Sequence, residues 1–147
     1  MPREIVLGNG RLTVAIDNKL NIRDFSYPEE GLENHAKGHP FRIAVWTDGA
    51  FSWIGDEWDV NSRYLPDTLV SKCSAINQKL KIELKINDTV YSFLDLFLRR
   101  ILVTNLSEKT AKSESFFLTY RYSGYSIIKT NYRHHKKGYQ KNYATGK

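Results

Sequence analysis

Apolar and polar residues alternate along much of the chain with the period of two expected of half-buried β-strands, and turn residues divide these runs at short intervals. Asn9-Gly10 precedes an apolar run at residues 11–16, and Asp17-Asn18-Lys19 then turns the chain into residues 20–25. Residues 41–46 and 51–54 flank Asp48-Gly49, a pair that readily supplies the positive φ angles of a tight hairpin. Residues 79–86 place Leu80, Ile82, Leu84 and Ile86 on one face and three lysines with Glu83 on the other, which predicts one buried and one wet face. Residues 91–104 are nearly continuous in apolar side chains, as in a strand covered on both sides or bent across two sheets, with Arg99 and Arg100 interrupting it on opposite faces. A polar turn at residues 105–110 leads to a last strand at residues 115–120. No helical periodicity is evident, so the pattern predicts an all-β protein: an antiparallel β-sandwich of about ten strands in two packed sheets.

One segment breaks the rhythm. Residues 27–40 hold two prolines, two glycines, two histidines and three glutamates, and a loop of that length usually has a function. The whole chain, at 147 residues, has room for one domain and not for a second catalytic one. Its single cysteine, Cys73, excludes an internal disulfide and any multi-cysteine zinc site, which suits a reducing compartment. No apolar run is long enough for a membrane helix or a secretory signal, so a cytoplasmic location is expected.

The net charge of +6 points toward nucleic acid until it is divided along the chain. Residues 1–120 carry 15 Lys and Arg against all 16 acidic residues, whereas residues 121–147 carry seven Lys and Arg and no acid. The basic character therefore belongs to a Lys/Tyr-rich tail, expected to be irregular because residues 129–147 contain no Leu, Ile, Val, Phe or Trp. Interleaved tyrosines give that tail a nucleic-acid-binding alternative through phosphate contacts and base stacking. Residues 1–120 supply no cationic platform to cooperate with it, which disfavours that alternative.

Several groups invite chemistry. His35 and His39 are four apart, but Gly38 and Pro40 place them in a loop, so hydrogen bonding within the loop is expected in preference to a metal site. Glu29, Glu30, Glu33, Asp56, Glu57 and Asp59 are the residue type from which a glycosidase builds its carboxylate pair, a role that needs a separation the sequence does not fix. Trp46, Trp53 and Trp58 are candidates for stacking on sugar rings, against the favoured reading of core or interdomain packing. Cys73 has no histidine nearby and reads as a buried thiol. Neither a phosphate-binding glycine loop nor a nucleophile elbow is present.

A co-linear set of motifs carries a family resemblance. Leu7-Gly-Asn-Gly-Arg-Leu12, Ile22-Arg-Asp-Phe-Ser-Tyr-Pro28, Glu33-Asn-His35, Gly38-His39, Phe41-Arg42, Val45-Trp46, Asp48-Gly49, Phe51-Ser-Trp53, Arg63-Tyr-Leu-Pro-Asp-Thr-Leu-Val70 and Leu98-Arg-Arg-Ile-Leu-Val-Thr-Asn-Leu-Ser107 occur in order. Together they closely resemble the N-terminal β-sandwich domain of prokaryotic glucoamylase-type glycoside hydrolases, family 15, over roughly residues 5–123. The resemblance implies a super-sandwich at residues 1–123 followed by the basic tail at residues 124–147. It also implies a non-catalytic domain that packs against an (α/α)6 barrel, and the barrel carries the two catalytic glutamates of an inverting mechanism on α-glucosidic bonds. No position here matches the barrel motifs, so the resemblance assigns no catalytic residue and no cofactor. It does single out Asn34, His35, Gly38, His39 and Arg42 as a loop facing the barrel or the substrate entrance.

The resemblance ends at about Gly124, where composition also changes, which suggests a truncated or frame-shifted reading frame and an incomplete sandwich. The expected partners are a separately encoded barrel or a second copy in a dimer, because strand edges and the barrel-facing surface would be left open. The rival expectation is an α-glucan-binding module using the three tryptophans and the residue 27–42 loop.

Overall fold

The computed structural model describes residues 4–29, 33–107 and 116–119, the last of these by backbone alone. The expected tail at residues 124–147 lies outside the described residues. Ten strands follow one another: β1 (Ile5–Gly8), β2 (Thr13–Ile16), β3 (Ile22–Ser26), β4 (Arg42–Thr47), β5 (Ala50–Trp53), β6 (Asp59–Tyr64), β7 (Ser71–Asn77), β8 (Ile82–Val90), β9 (Phe97–Asn105) and β10 (Phe116–Thr119). All pairings are antiparallel, in sheets ordered β1-β2-β3, β10-β4-β5 and β6-β7-β8-β9. The chain is all-β, with no helix among the described residues, and its arrangement is that of a β-sandwich.

Local chemistry sets the turns. Asp48 and Gly49 adopt φ of 48° and 81°, which makes the two-residue reversal between β4 and β5 that the sequence predicts. Asp17 Oδ1 accepts from the backbone N–H groups of Lys19 and Asn21, turning β2 into β3. Asn77 Oδ1 does the same for Lys79 and Leu80, so the alternating run becomes a strand only from Ile82 onward. Ile82, Leu84 and Ile86 are buried as the alternation requires.

β1 lies against β8 and β6, which stacks the first sheet on the four-stranded one. The reciprocal backbone bonds of Ile22 with Phe41 tie β3 to the start of β4 and bring the third sheet to the same core. That core joins Ile5, Leu7, Val14 and Ile16 of the first sheet to Ile43 and Val45 of β4 and to Ala75, Ile82, Leu84 and Ile86. Phe25 bridges outward through edge-to-face contacts with Phe41 and Phe97, each at 6.2 Å between ring centroids.

The long apolar run behaves differently from the expectation. Residues 91–96 form a turn, closed by Tyr91 N–H donating to the Leu96 carbonyl at 2.9 Å, and the strand proper starts at Phe97. Its outward face is not covered: Leu98 and Leu102 are exposed, while Phe97, Ile101 and Val103 on the other face pack partly buried against the core. The turn lacks Gly, Pro and Asn, so its apolar residues masked it in the sequence. The two arginines do alternate faces: Arg99 is directed inward and Arg100 is exposed.

Candidate functional site

Three regions gather chemically active side chains, two of them holding residues singled out by sequence. The first is the loop between β3 and β4. Asn34 pins it: its Oδ1 accepts from the N–H groups of Phe25 (3.0 Å) and Ala36 (2.9 Å), and its Nδ2 donates to Asp24 (2.7 Å). This fixes the buried methyl of Ala36 in the core and sets the His35 ring, half-buried, with Nε2 3.3 Å from the Tyr27 carbonyl. His35 Nδ1 stands 4.0 Å from Glu33, while His39 is exposed after Gly38, whose φ of 72° suits a residue without a Cβ. The two histidines therefore occupy a turn and not a helix face, and among the described residues no cluster of three or more His, Cys, Asp or Glu is placed to hold a metal. Glu30 lies outside the described residues.

Arg42 belongs elsewhere. It starts β4 on the outward face, where its guanidinium lies 4.6 Å from the centroid of the Trp53 ring. Register places Trp46 opposite Phe51 and Ala44 opposite Trp53, so all of these side chains share one face of the β4–β5 hairpin. Phe51 and Trp53 meet edge to face at 5.3 Å, and Trp46 is 39% and Phe51 53% exposed. The result is an aromatic strip with a cation at one end. Trp58 is not part of it: only 6% exposed, it is packed into the core with its indole N–H donating to Ser52 Oγ at 2.9 Å. Sequence reasoning missed Phe51, although its place opposite Trp46 follows from the Asp48-Gly49 turn.

The described carboxylates singled out as the type a glycosidase pairs lie at the surface, as solvated loop carboxylates do. Asp56 pairs with Lys19 at 2.8 Å and Glu57 with Lys79 at 2.7 Å, both at the surface. The hydrogen bond from Lys19 holds the Asp56 carboxyl below its ordinary range. Asp59 is exposed at the start of β6, and Glu29 and Glu33 are exposed in the loop.

The third region was hidden from the sequence. Strand register pairs Tyr64 with Ser71 and Asp88 with Arg99, and a hydrogen bond between Ser71 and Asp88 joins the two pairs into one row across β6, β7, β8 and β9. Asp88, 1% exposed, accepts a bidentate pair from Arg99 Nε (2.7 Å) and Nη2 (3.0 Å), and its backbone N–H donates to Ser71 Oγ at 2.7 Å. Cys73 is buried in the adjacent row, and desolvation pushes its thiol above the ordinary range. A buried, protonated thiol is inert, as its sequence context suggested.

Among the described residues no helix is long and apolar enough to cross a membrane. No family model matches the chain, and no solved structure matches it. The chain is 29% identical over 113 residues to an uncharacterized glycosyl hydrolase of Methanocaldococcus jannaschii. That alignment takes in 76% of this chain but only 18% of the relative, so the chain spans less than a fifth of the curated protein it matches and is similar to one part of a glycosyl hydrolase.

Proposed function

We propose that this β-sandwich is a non-catalytic domain of a hydrolase acting on α-glucosidic bonds, and that it packs against and supports a catalytic barrel. The observation that carries the reading is the alignment of most of this chain with a small part of a much longer glycosyl hydrolase. An apolar surface supports it: Tyr91, Phe93, Leu94, Leu96 and Leu98 are exposed together, Phe93 to 86%. Asn9 Nδ2 holds that turn in place by donating to the carbonyls of Tyr91 and Leu94, both at 3.1 Å, and Arg11 pairs with Asp95 at 3.2 Å. An apolar turn fixed in this way is a shape suited to a packing partner. The purified chain is expected not to hydrolyse maltose or trehalose. Turnover that survives repurification and disappears in Asp56→Asn, Glu57→Gln or Asp59→Asn would overturn the proposal.

A second reading rests on the strip formed by Arg42, Trp46, Phe51 and Trp53, whose exposed aromatic surface is of the kind on which sugar rings stack. In that case the domain holds an α-glucan without cleaving it. Maltoheptaose would then shift the tryptophan fluorescence of the chain, and Trp46→Ala would abolish the shift. An unresponsive signal up to millimolar sugar removes this reading.

A further inference from the structure

The longest open edge in the described structure is that of β9. Its nine residues pair with β8 on one side, and no other described strand lies along the other side, β10 being paired with β4. Backbone groups of residues 98–104 that turn away from β8 are thus left without a strand partner among the described residues.

The side chains repeat this asymmetry. On the outer face Leu98 and Leu102 are exposed on either side of Arg100, whereas the outer positions of neighbouring β8 are Glu83, Lys85, Asn87 and Thr89. Uncovered apolar area within this sheet is therefore concentrated on its edge strand, where a partner would approach from the side. On the inner face Phe97, Ile101 and Val103 are only partly buried against the core.

The electrostatics select among partners. Arg99 engages Asp88 through Nε and Nη2, and in a planar guanidinium the third nitrogen then points directly away from the carboxylate. Arg99 Nη1 is buried, with no hydrogen-bond partner among the described residues, so the Arg99 guanidinium belongs to the inner face and is not offered at the open edge. Arg100 has no ion pair among the described residues. With Arg99 neutralised by Asp88, the exposed charge of this edge is Arg100 alone, and a strand that carries this cation and no acid favours a carboxylate over a second copy of itself.

We infer that β9 is a docking edge for an extended acidic segment of another polypeptide. The segment adds as a strand and sets apolar residues against Leu98 and Leu102 and a carboxylate against Arg100. This inference stands apart from the hydrolase reading, because the edge of β9 shares only Leu98 with the apolar surface that supports that reading.

The test uses the full chain and a synthetic peptide of about ten residues, enough to span the edge, alternating Val and Thr around a central Glu. Binding followed by fluorescence anisotropy is expected together with slowed amide hydrogen exchange at residues 98–104. Exchanging the central Glu for Lys, or making Arg100→Glu, should weaken binding about tenfold or more, and combining the two changes should restore it. Arg100 is exposed, so its replacement leaves the core untouched. Absence of protection at β9 overturns the inference, as does equal binding of the Glu and Lys peptides. Protection that grows with protein concentration in the absence of peptide also overturns it, by making a second copy the occupant.

Discussion

The Tyr64 hydroxyl both accepts from the Val6 N–H and donates to the Val6 carbonyl, each at 2.8 Å, and so closes the outer edge of β1 from the opposite sheet. Val6 pairs with Ala15 on its other side, and without Tyr64 its outward backbone groups would form part of an open strand edge. Tyr64→Phe keeps the ring and removes both bonds. It should cost about 1–2 kcal/mol, since each net hydrogen bond contributes roughly 1 kcal/mol. A urea titration measures the loss. Tyr64→Phe should also accelerate amide exchange at Val6, and unchanged exchange there would mean that the hydroxyl does not guard the edge.

Much of the fold was legible because its turns use side chains with a distinctive local chemistry. Asp48-Gly49 marks the β4–β5 reversal, and Asp17 marks the turn before β3. The alternation at Ile82, Leu84 and Ile86 marks the buried face of β8. The turn at residues 91–96 was not legible: it is held by Asn9 and Arg11, more than eighty residues earlier in the chain, and no local pattern encodes such a contact.

Asp88 and Arg99 form the buried pair at the end of the inner face, with side-chain exposures of 1% and 8%. Asp88→Ala would strand the guanidinium in a dry site, and removal of one partner of such a pair typically costs about 3–5 kcal/mol. Replacing both residues by leucine leaves no buried charge and should recover much of that loss. Chemical denaturation of the single and double variants checks the order. A double variant no more stable than Asp88→Ala would mean that the row is retained for packing geometry and not for charge pairing.

The family resemblance singles out Asn34 as part of a barrel-facing loop, and the structure gives it two hydrogen bonds that tie the loop to β3 and a third that holds Ala36 within the loop. Asn34→Ala leaves the N–H groups of Phe25 and Ala36 without that acceptor. A loss of about 1–3 kcal/mol is expected, with faster proteolysis between residues 27 and 40. His39→Ala, at an exposed position, should change neither quantity.

The candidate site was legible by residue type and not by placement. Three tryptophans look equivalent in the sequence, yet strand register turns Trp46 and Trp53 outward and the turn after β5 folds Trp58 inward onto Ser52. Arg42 read as the end of a loop but serves as the cation over Trp53. The row from Tyr64 to Arg99 depends on two strand registers and on the Ser71–Asp88 hydrogen bond between them, and no linear motif specifies these.

Cys73 predicts how stability changes at high pH. Burial raises its folded-state pKa above that of the unfolded chain, so the folded protein holds the thiol proton more tightly. By linkage the associated stability is fully present below the unfolded thiol pKa of about 8.5 and is lost as pH rises from there through the folded pKa. Urea midpoints taken at pH 7 and at pH 10 should fall for the native chain by more than for Cys73→Ala, in which this proton is absent. Tyrosine and lysine titration is common to both proteins and cancels in the difference. The same burial should make the native thiol react far more slowly with a disulfide reagent than the thiol of the urea-unfolded chain. Equal pH responses of the two proteins, together with a fast native reaction, would show that Cys73 is open to solvent.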